Sequence, residues 1–319
     1  MRPSPVSRIV ICEFMDETAV ARLAEVHQVV HDEHLVERPD DLRAALASAD
    51  ALIVRNRTRV DAALLAFAPL LSVVGRLGVG LDNIDLDACA ARDIDVIPAT
   101  GANATAVAEY VICVAMMLLR GAYRSSPAVA AGEWPRTRLS RGKEMAGKTL
   151  GIVGFGGIGR LTGKLGHAMG MRVIAFDALI PHDAAVWAEE ATEPHALDAL
   201  LAVSDVVSLH VPLTPQTRHL LDAQRIARMQ RGAILVNTAR GGVVDEAALA
   251  SALASGQLGG AALDVFEDEP LAAGSALAQC PNLVLTPHIA GVTLESNVRV
   301  SMLVAEKVAA ALKERQSTQ

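Results

Sequence analysis

The stretch that most constrains this chain is Lys148-Thr-Leu-Gly-Ile-Val-Gly-Phe-Gly-Gly-Ile-Gly-Arg160. Leu150, Ile152 and Val153 form a short apolar run of the kind that makes a buried strand. Gly154, Gly156 and Gly159 follow as G-x-G-x-x-G, and a helix-like run continues to Met169. A second apolar run, Arg172-Val-Ile-Ala-Phe176, ends at Asp177. Strand, tight turn, helix N-terminus, second strand and terminal carboxylate is the order a dinucleotide requires. Glycines without a Cβ let a pyrophosphate reach backbone N–H groups, and the acid accepts the adenosine ribose hydroxyls. Asp177 would repel a ribose 2′-phosphate, and Ala178-Leu179 supplies no arginine beside it. The expected cofactor is therefore NAD and not NADP.

A chain of 319 residues has room for two domains, and 51% apolar against 20% charged residues predicts a sizeable core. The net charge of −7, without an Arg/Lys-rich block, argues against nucleic acid as the principal partner. Cys12, Cys89, Cys113 and Cys280 show no C-x-x-C spacing. The first three lie in apolar runs and are expected as buried thiols of a reducing compartment. The N-terminus has no apolar leader pattern. The strongly apolar run Val107–Leu119 is too short to span a bilayer and contains Glu109. A cytoplasmic protein with no membrane partner is expected.

Strands are predicted over Arg8–Phe14, Ala51–Val54 and Leu71–Gly75. Helices are predicted over Glu17–Val26, Asp41–Ser48, Asp61–Phe67 and Asp87–Arg92. This alternation is a first α/β unit of about 100 residues without a glycine fingerprint. His27, His31 and His34 have helix-like spacing, but Asp32-Glu33 interrupts any helix, so they read as exposed histidines and no metal is expected. Ala51–Val54 runs into Arg55-Asn-Arg57, and Val73-Val-Gly-Arg76 into Leu77-Gly-Val-Gly80. Ligands of open α/β sheets lie beyond strand C-termini. These arginines therefore meet either an anion or solvent, and the alternating glycines suit a carboxylate nest.

Pro98–Asn103 marks a boundary, and Thr105 is the expected cap of a long helix to Leu119. Trp134 reads as a surface turn or an interface anchor, and Pro181–Pro194 as loop. His210 is expected packed at a strand exit, Asp245 as an N-cap and Glu246 as a first-turn acid. Arg240, Asp264 and His288 each fall at or just beyond the end of a separate predicted strand, with Glu269 in the loop after Asp264. A last helix from Glu295 to about Leu312 is long enough to complete the first domain.

A bound nicotinamide exchanges hydride, so its partner is a carbonyl or alcohol that also exchanges a proton. Histidine suits that transfer because its reference pKa is about 6.5. Glu269 beside His288 would fix the tautomer and support imidazolium. The planar fork of Arg240 would hold a carboxylate and polarise the adjacent C2 carbonyl. Such a set describes reduction of a 2-oxo acid, or its reverse. The alternative is a purely structural ion network.

At these residues the chain resembles the D-2-hydroxyacid dehydrogenases over nearly its whole length. The matching segments are Gly151–Gly159, His210-Val-Pro-Leu-Thr214, Asn237–Glu246, Leu263–Pro270 and Pro287-His-Ile-Ala-Gly291. The resemblance implies two Rossmann-like domains with parallel sheets. An NAD-binding domain at about 101–290 would be inserted into a discontinuous substrate domain, 1–100 and 291–319. It implies Arg240, Glu269 and His288 as the catalytic set, Asp264 at the nicotinamide amide and Asp177 at the ribose. It also implies cofactor contacts from Gly154, Gly156, Gly157, Ile158, Gly159, Val211, Pro212, Thr217, Thr238, Ala239 and Gly291. The substrate carboxylate falls to the Val79 and Gly80 backbone with Arg240 and His288, and a homodimer through the NAD-binding domain is implied. Within the family, Val74–Asp85 is similar to the 3-phosphoglycerate dehydrogenase subgroup. Ile11–Asp16, Val54–Asp61, Gly132–Arg136 and His288–Asn297 are similar to the subgroup that oxidises sulfolactate. Both substrates carry a second anion, which Arg55, Arg57 and Arg76 would answer. Sulfolactate is the expected substrate, with 3-phosphoglycerate or a hydroxypyruvate- or glyoxylate-type acid as alternatives, and an NAD-sensing interaction protein as the non-enzyme alternative.

Overall fold

Short apolar strands alternating with helices build two α/β units in the computed structural model, which describes residues 6–318. One unit runs to Asn103 and resumes at Val292; the other is Ala104–Gly291. The first holds β1 (Arg8–Ile11), β2 (Gln28–His31), β3 (Ala51–Val54), β4 (Val73–Arg76) and β5 (Asp95–Pro98). All pair in parallel, in the order β2-β1-β3-β4-β5. Ile9, Ile11 and Ile53 face one core while Val10, Leu52 and Val54 face another. A sheet covered on both sides needs apolar residues at successive positions, which is why β3 reads as an unbroken apolar run.

The edge strand β2 is not foreseen from the sequence. Gln28-Val-Val-His31 has only two apolar residues and pairs on one side only, with β1, so its pattern is faint. It removes His31 from any helix. Among the described residues no group of three His, Cys, Asp or Glu is placed to hold a metal ion. The helix Leu294–Thr318 closes this unit through Val300, Val304, Val308 and Leu312. It presses so closely on β4 that a Cβ at Gly75 would stand 2.8 Å from both Val304 and Val308. Arg315 fastens its far end to Asp95 (2.8 Å) and Asp93 (3.0 Å).

The loop after β3 is built on Glu13. Its Oε1 accepts the N–H groups of Arg55 (2.9 Å) and Thr58 (3.0 Å), and its Oε2 those of Asn56 (3.2 Å) and Arg57 (3.0 Å). Burial alone would raise the carboxyl pKa, but the backbone donors outweigh it and hold the group below its ordinary value. Glu13→Ala leaves these amides without their acceptor. We expect a loss on the order of 3 kcal/mol, read from the urea midpoint; a loss below about 1 kcal/mol would count against this role.

The second unit holds β6 (Thr149–Val153), β7 (Arg172–Phe176), β8 (Glu193–Pro194), β9 (Val206–Leu209), β10 (Ala233–Asn237), β11 (Leu258–Leu263) and β12 (Leu283–Leu285). Its order is β12-β11-β10-β9-β6-β7-β8, again all parallel. Chain progression reverses between β6 and β9, so the switch point of the sheet lies at the end of β6. The short edge strand β8 lies in the segment read as loop. Its Pro194 is tolerated because an edge strand needs fewer ladder donors.

The helix Ala104–Arg120 packs Val107, Val111, Val114 and Leu118 into the core of this unit. It already begins at Ala104, so Thr105 lies inside the first turn and is not its cap. Thr105, Glu109, Cys113, Met116 and Arg120 form its outward stripe. Cys113 is therefore exposed, against the expectation from its apolar neighbours, whereas Cys12, Cys89 and Cys280 are buried; all four are free thiols. No helix among the described residues is long and apolar enough to cross a membrane.

Candidate active site

The glycines after β6 divide into packing glycines and open ones. Gly154, at φ +95°, makes the turn, and a Cβ there would meet the His210 carbonyl oxygen at 2.6 Å. Gly159 draws the helix Gly157–Ala168 onto the strand, since its Cβ would stand 2.2 Å from the Gly154 oxygen. At Gly156 and Gly157 nothing lies within 4 Å of an added Cβ. This open ground at a helix N-terminus is where a pyrophosphate fits. Asp177 ties the turn to β7, accepting Phe155 N–H at 2.7 Å and Leu179 N–H at 2.9 Å. The buried Phe155 ring stacks on Trp187 at 5.0 Å, and the indole N–H donates to the Pro181 carbonyl (2.7 Å). Sequence reasoning gave Trp187 no part; an aromatic inside an irregular segment carries no periodic signal.

Beyond β9, His210 Nε2 lies 2.9 Å from Ser208 Oγ, and burial pushes the imidazole pKa down to about 4. It is a packed residue, as its place at a strand exit predicts. Thr217 Oγ1 donates to the Pro212 carbonyl (2.6 Å) and accepts Thr214 N–H (2.8 Å), which shapes the Val211–Pro212 segment. Thr238 Oγ1, just past β10, is buried with no hydrogen-bond partner among the described residues. An unanswered hydroxyl on the strand-end edge is what a bound dinucleotide would satisfy.

The other half of that edge carries the ionisable groups. Buried Asn237 accepts Ala239 N–H (3.0 Å) and donates to the Arg240 carbonyl (3.0 Å), forming the turn that presents Arg240. A Cβ at Gly241 would fall 1.6 Å from the Phe266 carbonyl oxygen, so only glycine lets this turn lie against the loop after β11. In that loop Glu269 Oε1 accepts Phe266 N–H (3.1 Å), and Glu246 accepts Glu267 N–H (2.8 Å). Glu269 Oε2 lies 2.9 Å from His288 Nδ1. An ionised carboxylate only accepts, so Nδ1 holds the proton and Nε2 is the nitrogen left for chemistry. His288 has φ +57°, and its N–H donates to the Asp264 carbonyl at 2.8 Å. Asp264 is 1% exposed. It accepts the Thr286 hydroxyl (2.6 Å) and Ile289 N–H (2.8 Å) on Oδ1, and Ala290 N–H (2.8 Å) on Oδ2. Asn237 and Thr286 were not singled out in the sequence, because an amide and a hydroxyl at strand ends look like ordinary turn residues.

In the first unit the three arginines are differently placed. Arg55 Nη2 donates to Asn297 Oδ1 (3.0 Å), and its guanidinium stands 5.5 Å from the Phe14 ring centre. Arg57 pairs with Glu37 at 3.0 Å. Arg76 folds back over Gly78, its Nη1 donating to the Leu77 carbonyl (3.1 Å). The Val79 and Gly80 N–H groups have no acceptor among the described residues. Arg55, Asn56 and Arg57 also line a cavity of about 240 Å³ with Glu13, Phe14 and His34.

Residues 112–290 match the model of the NAD binding domain of D-isomer specific 2-hydroxyacid dehydrogenases. The chain belongs to that family. This dehydrogenase is 53% identical to an (S)-sulfolactate dehydrogenase of Chromohalobacter salexigens over 96% of the chain and 99% of the relative. It is 42% identical to a D-3-phosphoglycerate dehydrogenase of Mycobacterium tuberculosis, covering 95% of the chain but 56% of that longer protein. Among solved structures, the TT0316 protein of Thermus thermophilus superposes with a TM-score of 0.86 at 35% identity, over 96% of this chain and 97% of that one. The dehydrogenase is an enzyme that uses NAD, with the two-domain Rossmann-like fold.

Two outcomes follow for the cofactor half. Gly156→Ala meets no protein atom, so the variant should fold with unchanged stability yet bind NADH at least about tenfold more weakly, while Gly159→Ala should unfold earlier. Fluorescence titration and thermal melting separate the two, and wild-type NADH affinity in Gly156→Ala would refute the cradle. His210 titrates near 4 when folded against a reference of 6.5. The unfolded chain binds the extra proton between those values, so the contribution is complete above about 6.5 and falls as pH drops toward 4, by at most roughly 3 kcal/mol. His210→Gln should flatten that part of the stability–pH curve; an unchanged slope would show that His210 is not its source.

Proposed function

We propose that this dehydrogenase interconverts (S)-sulfolactate and 3-sulfopyruvate. The observation that carries the chemical reading is the 2.9 Å contact between His288 Nδ1 and Glu269, on loops that adjoin the Arg240 turn. NAD, when bound, exchanges a hydride with C2 of the acid. As the alcohol is oxidised, His288 Nε2 takes the hydroxyl proton, and in the reverse direction it returns that proton to the carbonyl oxygen. Glu269 keeps the ring oriented and supports its charged form. Arg240 holds the C1 carboxylate and draws electron density from the C2 oxygen. The Val79 and Gly80 amides of the first unit, which have no acceptor among the described residues, suit a carboxylate.

The choice of acid rests on the near full-length similarity to the C. salexigens enzyme and on Arg55. Arg57 is already answered by Glu37. Arg55 stands over Phe14 and, among the described residues, its side chain hydrogen-bonds a neutral amide, with the Glu13 carboxylate acting on it through space; it is the proposed partner of the sulfonate, with Arg76 as the second candidate. The cofactor contacts are proposed at Gly154, Gly156, Gly157, Ile158, Gly159, Asp177, Val211, Pro212, Thr217, Thr238, Ala239, Asp264 and Gly291. A homodimer through the NAD-binding unit is supported by the outward stripe of the helix Ala104–Arg120 and by Trp134, 77% exposed. The cytoplasm is the proposed location.

Catalytic efficiency should be highest with (S)-sulfolactate in a panel with its enantiomer, D-3-phosphoglycerate and D-lactate. Arg55→Ala should cost about tenfold or more with sulfolactate and little with lactate. His288→Ala should lose most turnover while binding NADH normally. Better turnover of phosphoglycerate or lactate would overturn the substrate, and wild-type turnover in His288→Ala would overturn the proton donor.

A further inference from the structure

The loop that presents His288 is fastened from outside the strand-end residues. Tyr110 lies on the helix Ala104–Arg120, and its phenol oxygen is 2.6 Å from Thr286 Oγ1. Thr286 Oγ1 is in turn 2.6 Å from Asp264 Oδ1. The proton count gives this chain a direction. Ionised Asp264 can only accept, so the single Thr286 proton points to Asp264, and the Thr286 oxygen can then only accept from Tyr110. The phenol is therefore the donor, and burial, by raising its pKa, keeps it protonated. Asp264 also accepts the Ile289 and Ala290 amides, the two residues after His288. The His288 N–H is held between the carbonyls of Asp264 (2.8 Å) and Thr286 (3.0 Å). One hydrogen-bonded path thus runs from a helix of the unit to both sides of a histidine in a left-handed backbone conformation.

We propose that Tyr110 and Thr286 are positioning residues for proton transfer: the Tyr110–Thr286–Asp264 path sets where the His288 imidazole stands and holds Asp264 with one lone pair of Oδ2 open to a bound carboxamide. The proposal rests on His288 as proton donor. Neither Tyr110 nor Thr286 touches the reacting atoms; they act through Asp264 and the 286–290 backbone. The path also explains why a tyrosine stands within an otherwise apolar helix face: leucine or phenylalanine would fill the space but would leave Thr286 free to turn away from Asp264.

The test compares Tyr110→Phe, Thr286→Val, their double variant and Thr286→Ser in the full chain, using NADH and the 2-oxo acid the wild type reduces best. Tyr110→Phe and Thr286→Val should each lower kcat about tenfold with KM changed less than about twofold, and the double variant should be no worse than the poorer single one. The primary isotope effect with NADH deuterated at the transferred position should rise as hydride transfer becomes limiting. Thr286→Ser, which keeps the hydroxyl, should retain most of the wild-type rate. A kcat in Tyr110→Phe indistinguishable from wild type, or losses that multiply in the double variant, would overturn the proposal. His288→Ala is measured alongside. Near-wild-type turnover there would show that the proton-donor assignment had failed, whereas a dead His288→Ala with an unaffected Tyr110→Phe isolates the failure to the path.

Discussion

The active half of the second unit depends on a buried carboxylate answered by hydrogen-bond donors. Asp264 is almost wholly inside the protein, and among the described residues no cation pairs with it. Leaving it unpaired would cost more than the unit can spare. Three donors from one short loop, Thr286, Ile289 and Ala290, answer it instead. Because those donors flank His288, satisfying the charge and placing the histidine are the same event. The left-handed backbone of His288 is of order 1 kcal/mol unfavourable. It persists because abandoning it would strip Asp264 of its partners.

The two units meet the same topological situation in opposite ways. In each, the first strand of the parallel sheet ends at the switch point, where backbone N–H groups gather. In the first unit Glu13 follows β1 and supplies an internal anion, its carboxylate taking four N–H groups of the loop after β3. In the second, Gly156 and Gly157 follow β6 and leave the space empty of protein. A carboxylate at that place satisfies the amides from within; glycine leaves room for an anion from outside. The difference between the first unit and the nucleotide-binding one is here a matter of which anion satisfies the amides after the first strand.

That contrast explains what the sequence discloses. The glycine turn, Asp177 and the strand-end residues Arg240, Asp264 and His288 are legible because each lies just past an apolar run, and parallel topology delivers strand ends to one edge; Glu269 is legible only as part of the loop after Asp264. The edge strand β2 and the two-residue β8 are not legible, since half-paired strands need little apolar patterning. Cys113 misled because an apolar stretch in a helix still has an outward stripe. The arginines of the first unit show the limit of charge reading. Arg55, Arg57 and Arg76 look equivalent in sequence, yet Glu37, twenty positions before Arg57, answers one of them, and no local pattern announces that pairing.

Residues proposed to do chemistry stand beside others whose part is to hold them in place. Gly241 is a case in point: its missing side chain lets the Arg240 turn lie against the carbonyl of Phe266, and so brings that arginine beside the Glu269 loop. Asn237 fixes the same turn from the other side through both of its amide atoms. Neither residue carries a charge or a titrating proton. Each removes freedom from a side chain that does, and a guanidinium or imidazole wandering by an ångström would stabilise a transition state far less than one held in place. Backbone anchors of this kind, and not only charged side chains, decide how closely the proposed catalytic arginine can be held.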